Sequence, residues 1–130
     1  MSKGVALLVL AAFAAGALAL AAWGLADILR TRTALRACLP EIPFDTSAHW
    51  FLGASVIAML PFLAVLKSER SHAWIFRILL VGFFLLPALS HALLRWTAAS
   101  QSYDQTVLIF VPPQSILLSH DGLEPCIPIG

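Results

Sequence analysis

Apolar residues come in three long runs separated by short polar breaks. The first occupies about residues 4–29 and carries no charge between Lys3 and Asp27. The second occupies about 48–66 and the third about 73–94, with Arg77 near its start. A helix needs about 20 apolar residues to cross the ~30 Å hydrocarbon core of a bilayer. The pattern therefore predicts three transmembrane helices. Trp23, Trp50, Trp74 and Trp96 fall near the ends of the runs, where indole rings favour the headgroup region. Pro61 and Pro87 lie inside the second and third runs and predict kinks. Lys3, the first apolar run and Ala19-Leu20-Ala21 have the form of a secretory signal peptide. The run continues through Trp23 to Ile28, longer than a usual signal core, so we read it as an uncleaved anchor.

The segments between and after the runs predict a small cap. Pro40 and Pro43 stop any extension of the first helix, and Asp45, Thr46 or Ser47 can cap the second. The chain divides into a three-helix membrane domain, residues 1–96, and a tail, residues 97–130. Within the tail, Thr106 to Val111 is rich in β-branched and aromatic residues and reads as a strand. Ser115 to Leu118 reads as a second strand, and Asp121-Gly122 is a turn signal. These features suggest a β-hairpin. Both strand candidates are apolar on both faces, so they need cover from the membrane face, the first loop or another protein.

Composition agrees with a lipid-embedded chain: 60% of its 130 residues are hydrophobic and 12% charged, against about 25% charged in soluble domains. A net charge of +1 with no basic stripe gives no indication of nucleic-acid binding. The Ala- and Leu-rich composition suggests a bacterial protein. Counting Lys and Arg does not orient it: Lys3, Lys67, Arg70 and Arg77 lie on one side, and Arg30, Arg32, Arg36 and Arg95 on the other. The cysteines break the tie. Three crossings put Cys38 and Cys126 on the same side, and a disulfide between them requires an oxidising compartment. The expected topology is that of a multi-pass bacterial inner-membrane protein, with a cytoplasmic N-terminus and a periplasmic tail. Arg30, Arg32, Arg36 and Arg95 then reach lipid phosphates.

Candidate chemistry is sparse. Ser119, His120 and Asp121 are consecutive and point apart, unlike a catalytic triad. No metalloprotease, paired-cysteine or phosphate-loop motif occurs. No acidic residue sits mid-span, which argues against proton-driven transport. His49, His91 and His120 share the outer side and are the candidate haem, quinone or metal residues, although no cofactor is predicted as the main reading. Small residues dominate the first span. Ala12 with Gly16, and Ala15 with Ala19, have the spacing that lets helices approach closely. They pack either within the chain's own bundle or against a partner.

The main expectation is a non-catalytic interaction protein: an accessory subunit, regulator or immunity-type inhibitor of a larger membrane partner, or a homo-oligomer. The alternative is a redox anchor. In number and length of spans the chain is similar to the small three-helix membrane anchors of succinate dehydrogenase complexes. Their haem-ligand and quinone-site motifs are not found here, and no residue is carried across.

Overall fold

The computed structural model of the chain describes residues 2–65, 69–120 and 126. Two long helices dominate it: α1, Lys3–Arg36, and α3, Glu69–Ser100. Both are long and apolar enough to cross a membrane. At 1.5 Å per residue they extend about 51 and 48 Å. Their apolar windows are almost unburied by the rest of the chain. Leu8 is 71% exposed and Leu18 72%, far more apolar surface than a water-soluble monomer presents.

The second apolar run differs from expectation. Its α-helix, α2, covers only Ser47–Ile57, and a 3₁₀ helix, Leu60–Val65, follows. By itself α2 is about 16 Å long and too short to span a bilayer. Pro61 supplies the reason. It has no N–H to donate to the Ile57 carbonyl four residues back, so the α-helix ends at Ile57. The chain tightens instead, with Met59 N–H bonding Val56 O and Phe62 N–H bonding Met59 O.

The two long helices end alike. Ala37 caps α1, Cys38 turns left-handed (φ 58°), and the N–H groups of Cys38 and Leu39 bond Leu35 O and Ala34 O. At the end of α3, Ser102 turns left-handed (φ 62°), and Ser102 and Tyr103 bond Ala99 O and Ala98 O. Both are Schellman motifs with a non-glycine residue in the left-handed position. Each chain reversal redirects the backbone into the cap.

The cap is a two-stranded antiparallel sheet of β1, Glu41–Asp45, and β2, Ser115–Ser119. Its register pairs Ile42 with Leu118 and Phe44 with Ile116. Ile42 and Phe44 alternate inward along β1, and Leu118 is fully buried. Thr46 clasps the end of the ladder: its hydroxyl donates to Gln114 O (3.0 Å) and accepts from Gln114 N–H (2.7 Å). That leaves the capping of α2 to Asp45, whose carboxylate accepts from Ser47 N–H. Pro43 fits this sheet because prolines are admitted at edges, and both strands of a two-stranded sheet are edges.

The expected hairpin within the tail is thus corrected. The strand foreseen at Thr106–Val111 is a 3₁₀ turn, Gln105–Val107, followed by irregular chain. Asp104 explains the change: its carboxylate accepts from both the backbone N–H (3.0 Å) and the hydroxyl (2.6 Å) of Thr106, a local turn that competes with strand formation. The partner of β2 comes instead from the first loop, where the prolines that stop α1 do not prevent an edge strand. The turn signal Asp121-Gly122 lies outside the described residues.

The buried core lies at one end of the molecule. Ile28 and Leu35 of α1, Ala48 of α2, and Leu94 and Ala98 of α3 meet Ile42, Phe44, Tyr103, Leu108 and Leu118 of the cap. The C-terminal ends of α1 and α3 share this core, so the two helices run toward the same end. The chain between them, through α2, runs back the other way. α2 is wedged between α1 and α3. Two glycines set how closely it approaches them. A Cβ on Gly24 would lie 2.7 Å from Ala48 O. A Cβ on Gly53 would lie 2.6 Å from Phe83 O, the carbonyl that Pro87 leaves without its i+4 donor.

Candidate functional site: a buried histidine pair beneath the cap

The Cys38–Cys126 disulfide forms, with a Cα–Cα distance of 5.8 Å, within the usual range. It ties the tail to the end of α1, and the Cys126 sulfur packs against Gln101 at the end of α3. The Tyr103 hydroxyl donates to Leu39 O. Burial pushes the Tyr103 phenol above its ordinary pKa. Bonds from the side chain and backbone of Thr106 hold the Asp104 carboxyl below its ordinary value.

Below this closure lie His49, from the first turn of α2, and His91, from α3. Their rings meet edge to face with centroids 5.2 Å apart. His49 is fully buried. Its Nδ1 lies 2.8 Å from the Ser90 hydroxyl, and that hydroxyl lies 2.9 Å from Pro87 O. A carbonyl can only accept, so Ser90 donates to Pro87. Both contacts are satisfied only if His49 Nδ1 carries the proton and donates to Ser90. The neutral His49 ring therefore presents an unprotonated Nε2, which is buried and has no hydrogen-bond partner. His91 Nδ1 is also buried without a partner. Phe44 packs its edge against His49 (5.4 Å), and Phe110 of the tail covers His91 (5.2 Å).

The Phe110 segment is held by Trp50, whose indole N–H donates to Phe110 O (2.9 Å) and whose ring stacks on Phe110 at 4.7 Å. Trp50 is therefore a half-buried latch between α2 and the tail, whereas Trp23, Trp74 and Trp96 remain largely exposed.

Of the three outer histidines, His49 and His91 come together, while His120 packs on Tyr103 at 5.6 Å. Among the described residues, no three His, Cys, Asp or Glu side chains gather closely enough to hold a metal ion. Two axial histidines of a haem stand on opposite sides of the porphyrin. These two rings are in contact with each other, so the pair does not fit a haem held between them.

Arg30 and Arg95 are exposed, and Arg30 lies 3.7 Å from Asp27. Arg32 and Arg36 are half-buried. Ala12, Ala15, Gly16 and Ala19 are all exposed, and a Cβ on Gly16 would meet nothing within 4 Å. The stripe of α1 that packs inside the chain is a different one: Ala17, Gly24, Ile28, Thr31 and Leu35.

Sequence reasoning missed Ser90, Phe110 and Trp50 as parts of the histidine site. The one available signal was a hydroxyl next to His91 and three residues after Pro87 in an otherwise apolar helix. No protein-family model, curated protein or solved structure matches this chain.

Proposed function

We propose that this chain is a non-catalytic membrane subunit or regulator that packs against a larger membrane protein through the outer face of α1. The observation that carries this reading is the exposure of Ala12, Ala15, Gly16 and Ala19. At 100° per residue Ala12, Ala15 and Ala19 lie about 130–170° from the centre of the stripe that α1 buries within the chain, and Gly16 about 90° from it. α1 thus carries a small-residue surface outside the stripe its own bundle buries. Lipid tails gain nothing from a flat alanine–glycine surface, whereas a second helix gains close backbone contact there.

The membrane setting is part of the same proposal. It has three crossings, an N-terminus on the cytoplasmic side of a bacterial inner membrane, and the cap in the periplasm. The parallel run of α1 and α3 supports a return crossing by α2 and the 3₁₀ helix, which together cover about 28 Å at 1.5 and 2.0 Å per residue. Exposed Trp74 and Trp96 are separated by about 33 Å of α3, close to the ~30 Å hydrocarbon thickness. The disulfide supports an oxidising side for the cap. Arg30 and Arg95 then lie at the level of the outer headgroups, within reach of lipid phosphates.

The test is affinity purification of the tagged chain from its native membranes, comparing the natural sequence with Gly16→Ile. The expected result is a stoichiometric larger membrane protein that is lost with Gly16→Ile while the chain stays folded. A natural chain that purifies alone and monomeric would overturn the proposal. Self-association lost with the same variant would replace the larger partner with a second copy.

A further inference from the structure

We propose that the free edge of β2 receives an extended, basic segment of another protein, which adds to the cap as a third strand. The inference is independent of the α1 interface, since it uses main-chain groups of the cap and its test reads those groups.

The ladder fixes which groups are free. Along an antiparallel ladder, hydrogen-bonded pairs alternate with open ones. Thr46 N–H bonds Gln114 O, and Pro43 has no N–H to give to Leu117. The bonded pairs are therefore Phe44–Ile116 and Ile42–Leu118. Ser115, Leu117 and Ser119 then turn their N–H and C=O groups away from β1. Ser119 bears this out, because its carbonyl accepts from Asp104 N–H on that far side. Among the described residues, nothing bonds the outward main-chain groups of Ser115 and Leu117. Ser115 is exposed and Leu117 is 49% exposed.

The adjoining chain shows what this edge accepts. Tyr103 pairs antiparallel with His120, and Asp104 follows beside Ser119. The tail thus starts a third strand and leaves it at Gln105, where the Asp104 carboxylate turns the chain by holding Thr106. Ser115 and Leu117 are left offering two N–H donors and two carbonyl acceptors to an added strand. The β1 edge is closed to the same growth. Pro43 sits at its centre without a donor, between Glu41 and Asp45, and proline and charge are the usual means of blocking an edge.

Charge selects the occupant. The chain that builds the cap, 37–47 and 101–130, contains Glu41, Asp45, Asp104, Asp121 and Glu124 but no Lys or Arg. On the outer face of the sheet, Glu41, Pro43 and Asp45 lie beside Ser119, Leu117 and Ser115. Among the described residues, Glu41, Asp45 and Asp104 have no ion-pair partner. An added strand places alternate side chains on that face. Lys or Arg at those positions is favoured by the acidic field, and a second copy of this chain, with the same carboxylates, is repelled by it.

The test presents the full chain in nanodiscs, with its disulfide intact, to a displayed library of short random peptides. The expected binders alternate Lys or Arg with β-branched or aromatic residues. A recovered peptide, made synthetically, should slow exchange of the Ser115 and Leu117 amides and bind more weakly as salt rises. Leu117→Pro removes an outward donor and no bond to β1, and should weaken binding about tenfold. N-methylation of the peptide at its bonding amides should give a similar loss on the natural chain, so the result stands even if Leu117→Pro fails to fold. A library that yields no binder would overturn the proposal, as would binders without basic residues or binders that leave both amides unprotected. A folded Leu117→Pro chain that binds like the natural one would also overturn it. Self-association of the natural chain, lost with Leu117→Pro, would put a second copy on the edge and sink the basic partner.

Discussion

Replacing Cys126 with serine should loosen the cap and leave the long helices intact. The covalent loop has a sequence separation of 88. In the chain-entropy relation a loop of that length contributes about 4.6 kcal/mol. That figure assumes a fully flexible reduced chain. Here α1 and α3 are long helices that hold their form without the bridge, so the chain newly freed is chiefly the tail after the left-handed turn at Ser102. A loop of roughly 25 residues contributes about 3.5 kcal/mol in the same relation. We take about 3 kcal/mol as the expected loss, which corresponds to about 150-fold more frequent opening. Amide exchange reads this directly, because local opening appears as lost protection in the segment that opens. With Cys126→Ser, the β1–β2 ladder and the Thr46–Gln114 clasp should exchange about two orders of magnitude faster. Amides in the middle of α1 and α3 should be unchanged. Equal acceleration in the long helices would refute the idea that the bridge holds only the cap. So would ladder exchange within about threefold of the natural chain.

Further outcomes test the packing. Gly53→Ala places a Cβ 2.6 Å from a backbone carbonyl and should destabilise the α2–α3 contact by about 1–3 kcal/mol, read from denaturant unfolding in micelles. Gly16→Ala meets nothing within 4 Å and should be neutral or stabilising by up to about 1 kcal/mol in the isolated chain. Ser102→Gly relieves a left-handed serine (φ 62°) and should raise cap stability by about 1 kcal/mol in the exchange assay. Tyr103→Phe removes the bond to Leu39 O and should cost about 1 kcal/mol. Because burial raises the Tyr103 pKa, its contribution is complete below the ordinary phenol value of about 10 and declines as pH rises through the folded value. Cap protection in the natural chain should therefore fall above about pH 10, and this fall should be smaller in Tyr103→Phe.

The two long helices were legible because continuous hydrophobicity over more than 20 residues marks a long apolar helix directly. The length of α2 was not, because a run of apolar residues does not reveal where Pro61 converts α-helix to 3₁₀. The disulfide was legible because the sequence holds two cysteines, Cys38 and Cys126, so each has one possible partner within the chain. The partner of β2 was missed because Pro40 and Pro43 mark a loop in sequence, while an edge strand accepts them in space. The histidines were legible as a group on one side, but not as a pair. Their contact depends on how closely α2 packs on α3, which Gly53 permits beside Phe83 and Pro87. That is a long-range packing event with no local signature. For the same reason, the four small residues Ala12, Ala15, Gly16 and Ala19 were identified by spacing, while which face α1 buries is set by α2.

Labelling with a membrane-impermeant maleimide in intact, right-side-out vesicles tests the three-crossing topology most directly. Single cysteines are introduced as Ser2→Cys, Ser71→Cys and Thr106→Cys, while the Cys38–Cys126 bridge stays oxidised and unreactive. The account predicts that Thr106→Cys labels at once and that Ser2→Cys and Ser71→Cys label only after the vesicles are opened. Labelling of Ser71→Cys from outside, together with Thr106→Cys, would mean that α2 and the 3₁₀ helix do not return across the membrane, and would contradict the account.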